Sequence, residues 1–154
     1  MLVPEEEDIS LSERCKRANK LVQHFGKDNV VVVSIHLNAS QKNQESPLGW
    51  EVHTYLGKTI SDEYATIFWN KAKENLPVGT KMRGDWSDGD PDWDSNFAIL
   101  RDTQCPALLT ENLFMTSHED CKYLNSEEGF NTMNTESSSD TTGSKGVQSG
   151  YRSA

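Results

Sequence analysis

An imidazole and a carboxylate, His36 and Glu111, each stand where an apolar run ends, the first in "VVVSIHLNAS" and the second in "PALLTENLF". In open α/β sheets, ligands and reacting groups collect just beyond the carboxyl ends of strands. A carboxylate inside such a run is expensive unless it is paired, hydrogen-bonded or close to a cation. Together the two groups suit metal-assisted hydrolysis, with the imidazole as a ligand and the carboxylate moving protons. The plainer readings are a strand-end histidine satisfied by a backbone carbonyl, and a strand that stops at Thr110 so that Glu111 faces water.

The remaining polar candidates carry less. His53 lies on a second expected strand and could be a ligand, but alternation alone leaves its face open. His24 falls near a helix end, where the helix dipole favours it, and His118 reads as an exposed loop residue or helix cap. Five aspartates, Asp85, Asp88, Asp90, Asp92 and Asp94, crowd one loop and raise the question of calcium. No register puts Gly at the sixth position and Glu at the twelfth, as an EF-hand requires. A solvated loop is the simpler expectation, and a calcium-responsive acidic module is kept as a weaker alternative. Cys15, Cys105 and Cys121 lack the spacing of a disulfide framework or zinc finger and read as packing residues.

The elements that must position these groups follow from periodicity. Ser10 with Glu13 three residues on has the form of a capping box. Leu11, Cys15, Ala18, Val22 and Phe25 then recur at helical spacing, and Gly26 is a stop signal. "NVVVVSIH" is continuous and β-branched, which predicts a strand buried on both faces, as in a parallel sheet covered by helices. "GWEVHTYLG" predicts a second strand and "PALLTENLF" a third, with "NASQKNQESPL" as a surface loop. Ile60, Tyr64, Ile67, Phe68, Ala72 and Leu76 mark a second helix, capped by Thr59 or Ser61 and followed by Pro77. Strands alternating with helices predict a three-layer α/β sandwich with a mostly parallel sheet flanked by helices. The long segment "RGDWSDGDPDWDSNFAILRDTQC" is too rich in turn residues to be regular throughout, and a loop of that length is usually functional or mobile. The expected domain covers residues 1–130, and residues 131–154, rich in Ser, Thr, Gly and Asn, are expected to be disordered.

Composition narrows the functional class. The chain has 154 residues, 34% of them hydrophobic, enough for one domain with a core. A net charge of −9 argues against nucleic acid or an anionic membrane surface as partner. No apolar run is long enough to span a bilayer, and "MLVPEEEDIS" has no basic and apolar signal pattern.

In order, "LSERCKRAN", "VVVSIHLNAS", "GWEVHTYLG" and "FAILRDTQCPALLTENLFMTSHED" resemble the zinc-dependent N-acetylmuramoyl-L-alanine amidases of the amidase-3 type. The resemblance runs from about Leu11 to Leu124. It implies a parallel-rich sheet flanked by helices, a zinc ion held by two histidines and a glutamate, and a further glutamate assisting the attacking water. The implied reaction is hydrolysis of the amide joining N-acetylmuramic acid to L-alanine in peptidoglycan. By this resemblance His36 in "SIHLN" is a zinc ligand and Glu111 in "LLTENLFM" is the catalytic glutamate. Asn38, Arg101 and Asn112 are its substrate-side candidates. The implied partner is peptidoglycan and the implied location is the cell envelope or the extracellular space.

Two family features have no counterpart here: the "GHGG"-like block carrying the first histidine, and the helix carrying the ligand glutamate. The resemblance therefore implies a domain without its opening strand and helix, and with one of three zinc ligands, His36. It also predicts an amphipathic helix after "CKYLNSEEGF", where the chain turns poor in apolar residues. The expectations are weak turnover by this chain alone, an uncovered sheet edge open to self-association, and unfolding less cooperative than that of a complete domain. A non-catalytic peptidoglycan-binding or regulatory remnant of the fold is the alternative reading.

Overall fold

The computed structural model describes residues 2–40 and 48–138. Helix α1, Leu11–Phe25, starts where the capping residues place it, with the Ser10 hydroxyl accepting from the Glu13 amide. It ends at Gly26, whose φ of +86° is cheap only for glycine. Strand β1, Val32–Asn38, follows a single 3₁₀ turn at Lys27–Asn29, and β2 spans Trp50–Thr54. Helix α2, Ile60–Asn75, opens with a reciprocal cap between Thr59 and Asp62. The aspartate-rich segment is irregular except for the two-residue β3, Trp93–Asp94, and the one-turn α3, Ala98–Arg101. Strand β4, Ala107–Phe114, leads to α4, His118–Leu124, and α5, Glu127–Ser138.

The sheet order is β1-β4-β2-β3. β1 and β4 run parallel, as do β2 and β3, whereas β2 and β4 are antiparallel. Alternation along the strands divides the core in two. Trp50, Val52 and Leu108 point toward α2, where they meet Ala65, Trp69 and Ala72. Val32, Ala107 and Leu109 point the other way and meet Cys15 and Ala18 of α1 with Ile99 and Leu100 of α3. Helices thus cover both faces, and the α/β three-layer expectation is met. All three cysteines are free; Cys15 is on the buried face of α1, and Cys105 packs against the same core.

The end of the chain departs from expectation. Residues 131–138, expected to be irregular, continue α5. Tertiary contacts supply what composition lacks: Met133 packs on the α2-side core, Thr132 shares a hydrogen bond with the Tyr123 hydroxyl (3.0 Å), and Gly129 lies where a Cβ would strike the Tyr123 carbonyl. Positions 139–154 of the expected disordered tail and 41–47 of the expected surface loop lie outside the described residues.

Candidate active site

One transverse row of the sheet brings three chemical groups side by side. His36 on β1 is in register with Glu111 on the neighbouring β4, and Glu111 is in register with Glu51 on β2. Register partners in a sheet share a face, so imidazole and carboxylates all lie on the α1 side. α1 and α3 cover the apolar part of that face and leave this polar end open. One row back, His53 faces the same side through its pairing with Leu109. The polar face was written into "WEVHT": Trp50, Val52 and Thr54 alternate with Glu51 and His53.

Glu51 is buried at 6% exposure and is the anchor of the row. Its Oε1 accepts from Arg83 Nε at 2.6 Å and from Asn38 Nδ2 at 3.1 Å, while its Oε2 lies 3.6 Å from His53 Nε2. His53 Nδ1 is 2.9 Å from the Ser95 hydroxyl, and its ring packs against Phe97 at 5.4 Å. Burial outweighs the attraction of Glu51 and holds the His53 imidazole below its ordinary range, with His36 adding to the effect. Sequence reading passed over Glu51, Arg83 and Ser95, although the period-two alternation of β2 was a usable signal for the first. Arg83 and Ser95 had no such signal, since they come from irregular chain.

Glu111 has one buried oxygen, Oε2, without a hydrogen-bond partner in the protein. Loss of water, reinforced by the negative charge of Glu51, pushes its carboxyl from 4.5 up to about 7. That matches a group required both to take and to return a proton near neutrality. His36 remains solvent-exposed, yet the surrounding chain removes enough water, with Arg14 contributing positive charge, to hold its imidazole below 6.5. A neutral imidazole is the form that binds metal. Its Nε2 lies 3.0 Å from the Ser34 hydroxyl.

Of the other sequence candidates, Asn38 joins the site through Glu51. Asn112 does not: it is buried at 2% exposure and turned to the α2 side. Its Oδ1 accepts from Trp50 Nε1 at 2.8 Å, and its Nδ2 donates to the Thr110 hydroxyl and the His36 carbonyl. Plain alternation puts it there, in register with Trp50 on β2 and opposite in face to Glu111; just beyond it a β-bulge, with Leu113 at φ +68°, advances the register on β4 from Glu111 to Phe114 between His36 and Asn38. The displaced ladder leaves the His36 carbonyl to the Asn112 amide. Arg101 is likewise apart, exposed on α3 and bonded to Asp102 and Asn96. His118 is the exposed first residue of α4, and His24 lies in the last turn of α1.

The described residues do not make a zinc site. Among the described residues no three His, Cys, Asp or Glu side chains are grouped to hold a metal, whereas catalytic zinc ordinarily takes three protein ligands. His36 can supply one. Both oxygens of Glu51 are engaged by Arg83, Asn38 and His53, and His53 is held between Glu51 and Ser95.

Comparison with known proteins identifies the family and the fold. A family model described as N-acetylmuramoyl-L-alanine amidase, Amidase_3, matches residues 1–138. An N-acetylmuramoyl-L-alanine amidase from Clostridium difficile 630 is similar at 28% identity and a TM-score of 0.68, over 84% of this chain and 61% of that one. The amidase AmiC2 of Nostoc punctiforme is similar at 27% identity and 0.65, over 84% and 63%. The catalytic domain of CwlV from Bacillus (Paenibacillus) polymyxa var. colistinus, at 22% identity and 0.69 over 88% and 65%, shares the fold. The chain thus spans less than two thirds of the length of each of these structures. No curated protein matches it. By the match over residues 1–138, this chain belongs to the N-acetylmuramoyl-L-alanine amidase family.

Proposed function

We propose that the chain acts in hydrolysis of the amide between N-acetylmuramic acid and L-alanine in peptidoglycan, at the cell envelope or outside the cell, with Glu111 as the group that moves the proton. The observation that carries this reading is the Glu111 carboxyl, set beside His36 on the neighbouring strand with a buried oxygen free to take a proton. Ionised, it deprotonates the attacking water; protonated, it returns the proton to the departing amine of L-alanine. Asn38 and Arg83 fix Glu51, whose charge keeps Glu111 from ionising too readily. The family resemblance makes zinc the further requirement and His36 one of its ligands, but no step is assigned to zinc here because the described residues do not complete its ligand set. No helix among the described residues is long and apolar enough to cross a membrane.

Peptidoglycan sacculi incubated with the purified chain and added zinc provide the test. Release of peptides with free L-alanine amino groups is expected, and Glu111→Gln should reduce it by about 10²–10⁴-fold. Equal release from both proteins would remove Glu111 from the reaction, and no release from either would remove hydrolysis itself. The incomplete ligand set favours one second reading, a peptidoglycan-binding module without turnover. Under it the chain co-pellets with sacculi before and after His36→Ala and releases nothing; failure to co-pellet excludes it.

A further inference from the structure

The end of the aspartate-rich segment grips β2 and carries a hydroxyl to the polar face. Trp93 and Asp94 pair with His53 and Thr54, and the Ser95 amide donates to the Thr54 carbonyl at 2.9 Å. The Asp94 carboxylate accepts from the Gly57 amide at 3.1 Å. This anchoring sets Ser95 Oγ 2.9 Å from His53 Nδ1. Phe97 packs on the ring at 5.4 Å between centroids, and Glu51 Oε2 lies 3.6 Å from the far nitrogen, Nε2. The His53 side chain is 11% exposed and that of Glu51 8%, so little water stands between them.

Loss of water, which outweighs the pull of Glu51, favours the neutral form of His53. A neutral imidazole has one N–H, so one ring nitrogen donates and the other accepts. With the proton on Nδ1, the Nε2 lone pair would face the Glu51 carboxylate, and two electron-rich groups would oppose each other where water screens them poorly. With the proton on Nε2, an N–H faces that carboxylate and Nδ1 is left to accept. The Ser95 hydroxyl can rotate to supply the donor. The hydrogen bond made at one ring nitrogen then fixes which nitrogen is protonated at the other end.

We propose that Ser95 is a positioning residue: by donating to Nδ1 it holds the ring proton of His53 on Nε2 and turns that N–H toward Glu51. Glu51 is then held from two sides, by Arg83 and Asn38 at Oε1 and by His53 at Oε2, and its charge stays in register with Glu111. The bearing on hydrolysis rests on the function proposed above for Glu111. The placement of the proton rests on Ser95, His53 and Glu51 alone.

Long-range ¹H–¹⁵N correlation spectra of the labelled chain at about pH 7.5 locate the proton, with His53→Gln identifying its ring among the four histidines. The expected result is a proton on Nε2 and an Nδ1 resonance displaced by an accepted hydrogen bond. Ser95→Thr should retain that displacement and Ser95→Ala should remove it. A proton on Nδ1 overturns the proposal, as does an Nδ1 resonance that Ser95→Ala leaves unchanged. On sacculi with added zinc, Ser95→Ala should slow peptide release by up to about 10²-fold, and Ser95→Thr should restore most of it. Equal rates for Ser95→Ala and the unsubstituted chain overturn the positioning role. Covalent capture of Ser95 by a fluorophosphonate also overturns it, since the hydroxyl would then be a nucleophile. If no protein releases peptides, hydrolysis fails as the function, and the spectra still decide where the His53 proton lies.

Discussion

A carboxylate that titrates near neutrality changes its charge within the range where a hydrolase works. Glu111 is in that position because water has been removed from one side of it and Glu51 lies on the next strand. Hydrolysis that needs ionised Glu111 should therefore rise with pH through about 7. Rate measurements on sacculi across that range check it, and a rate independent of pH there counts against Glu111 as the base. The same shift has a consequence for stability. The folded chain keeps a proton that the unfolded chain has already released, so this contribution is fully present below 4.5 and is lost as pH rises through about 7. Glu111→Gln should flatten that part of the pH dependence and stabilise the fold at about pH 8, as followed by denaturant titration. His36 and Glu111 were legible in the sequence because each is a polar group set into an apolar run. Glu51 was not singled out: its significance depends on Arg83, a residue 32 positions away, reaching across to it.

At the scale of elements, β4 decides which side chains share the polar face of the sheet. Alternation along it turns Asn112 under the sheet, where one amide satisfies the Trp50 indole, the Thr110 hydroxyl and the His36 carbonyl. Asn112→Ala should cost about 2–3 kcal/mol, since a buried indole N–H and a carbonyl lose their partners together. Chemical denaturation measures it; a loss under 0.5 kcal/mol, about the scale of an ordinary surface substitution, would mean that water or a shifted side chain replaces the amide. The boundaries of α1 and α2 were readable from their caps, Ser10 and Thr59, because capping is a contact between neighbours in sequence. The bulge was not readable. It appears only where the register between two strands is set, and the positive φ of Leu113 belongs to a residue type that gives no local sign of it.

For the whole molecule, β1 is the consequential boundary. Among the described residues it pairs with β4 alone, leaving one edge of a strongly β-branched strand uncovered. Val32 donates its amide to Pro106, so the alternate residues Val33 and Ile35 present theirs to the open edge. Sedimentation velocity from low to high micromolar protein should show concentration-dependent association, and Val33→Pro should weaken it by removing an edge donor without cutting the β1–β4 ladder. A chain that remains monomeric throughout has that edge protected in some other way. The sequence by itself determined α1, α2 and the three main strands in their order, the starts of the capped helices, and the position of His36 and Glu111 on apolar strands. Each rests on periodicity or on groups a few positions apart. Tertiary structure alone decided the antiparallel place of β2, the Glu51 anchor, the bulge on β4 and the helical course of residues 131–138. Those depend on strand register and on burial, which are set by contacts between distant parts of the chain and leave no mark in local spacing.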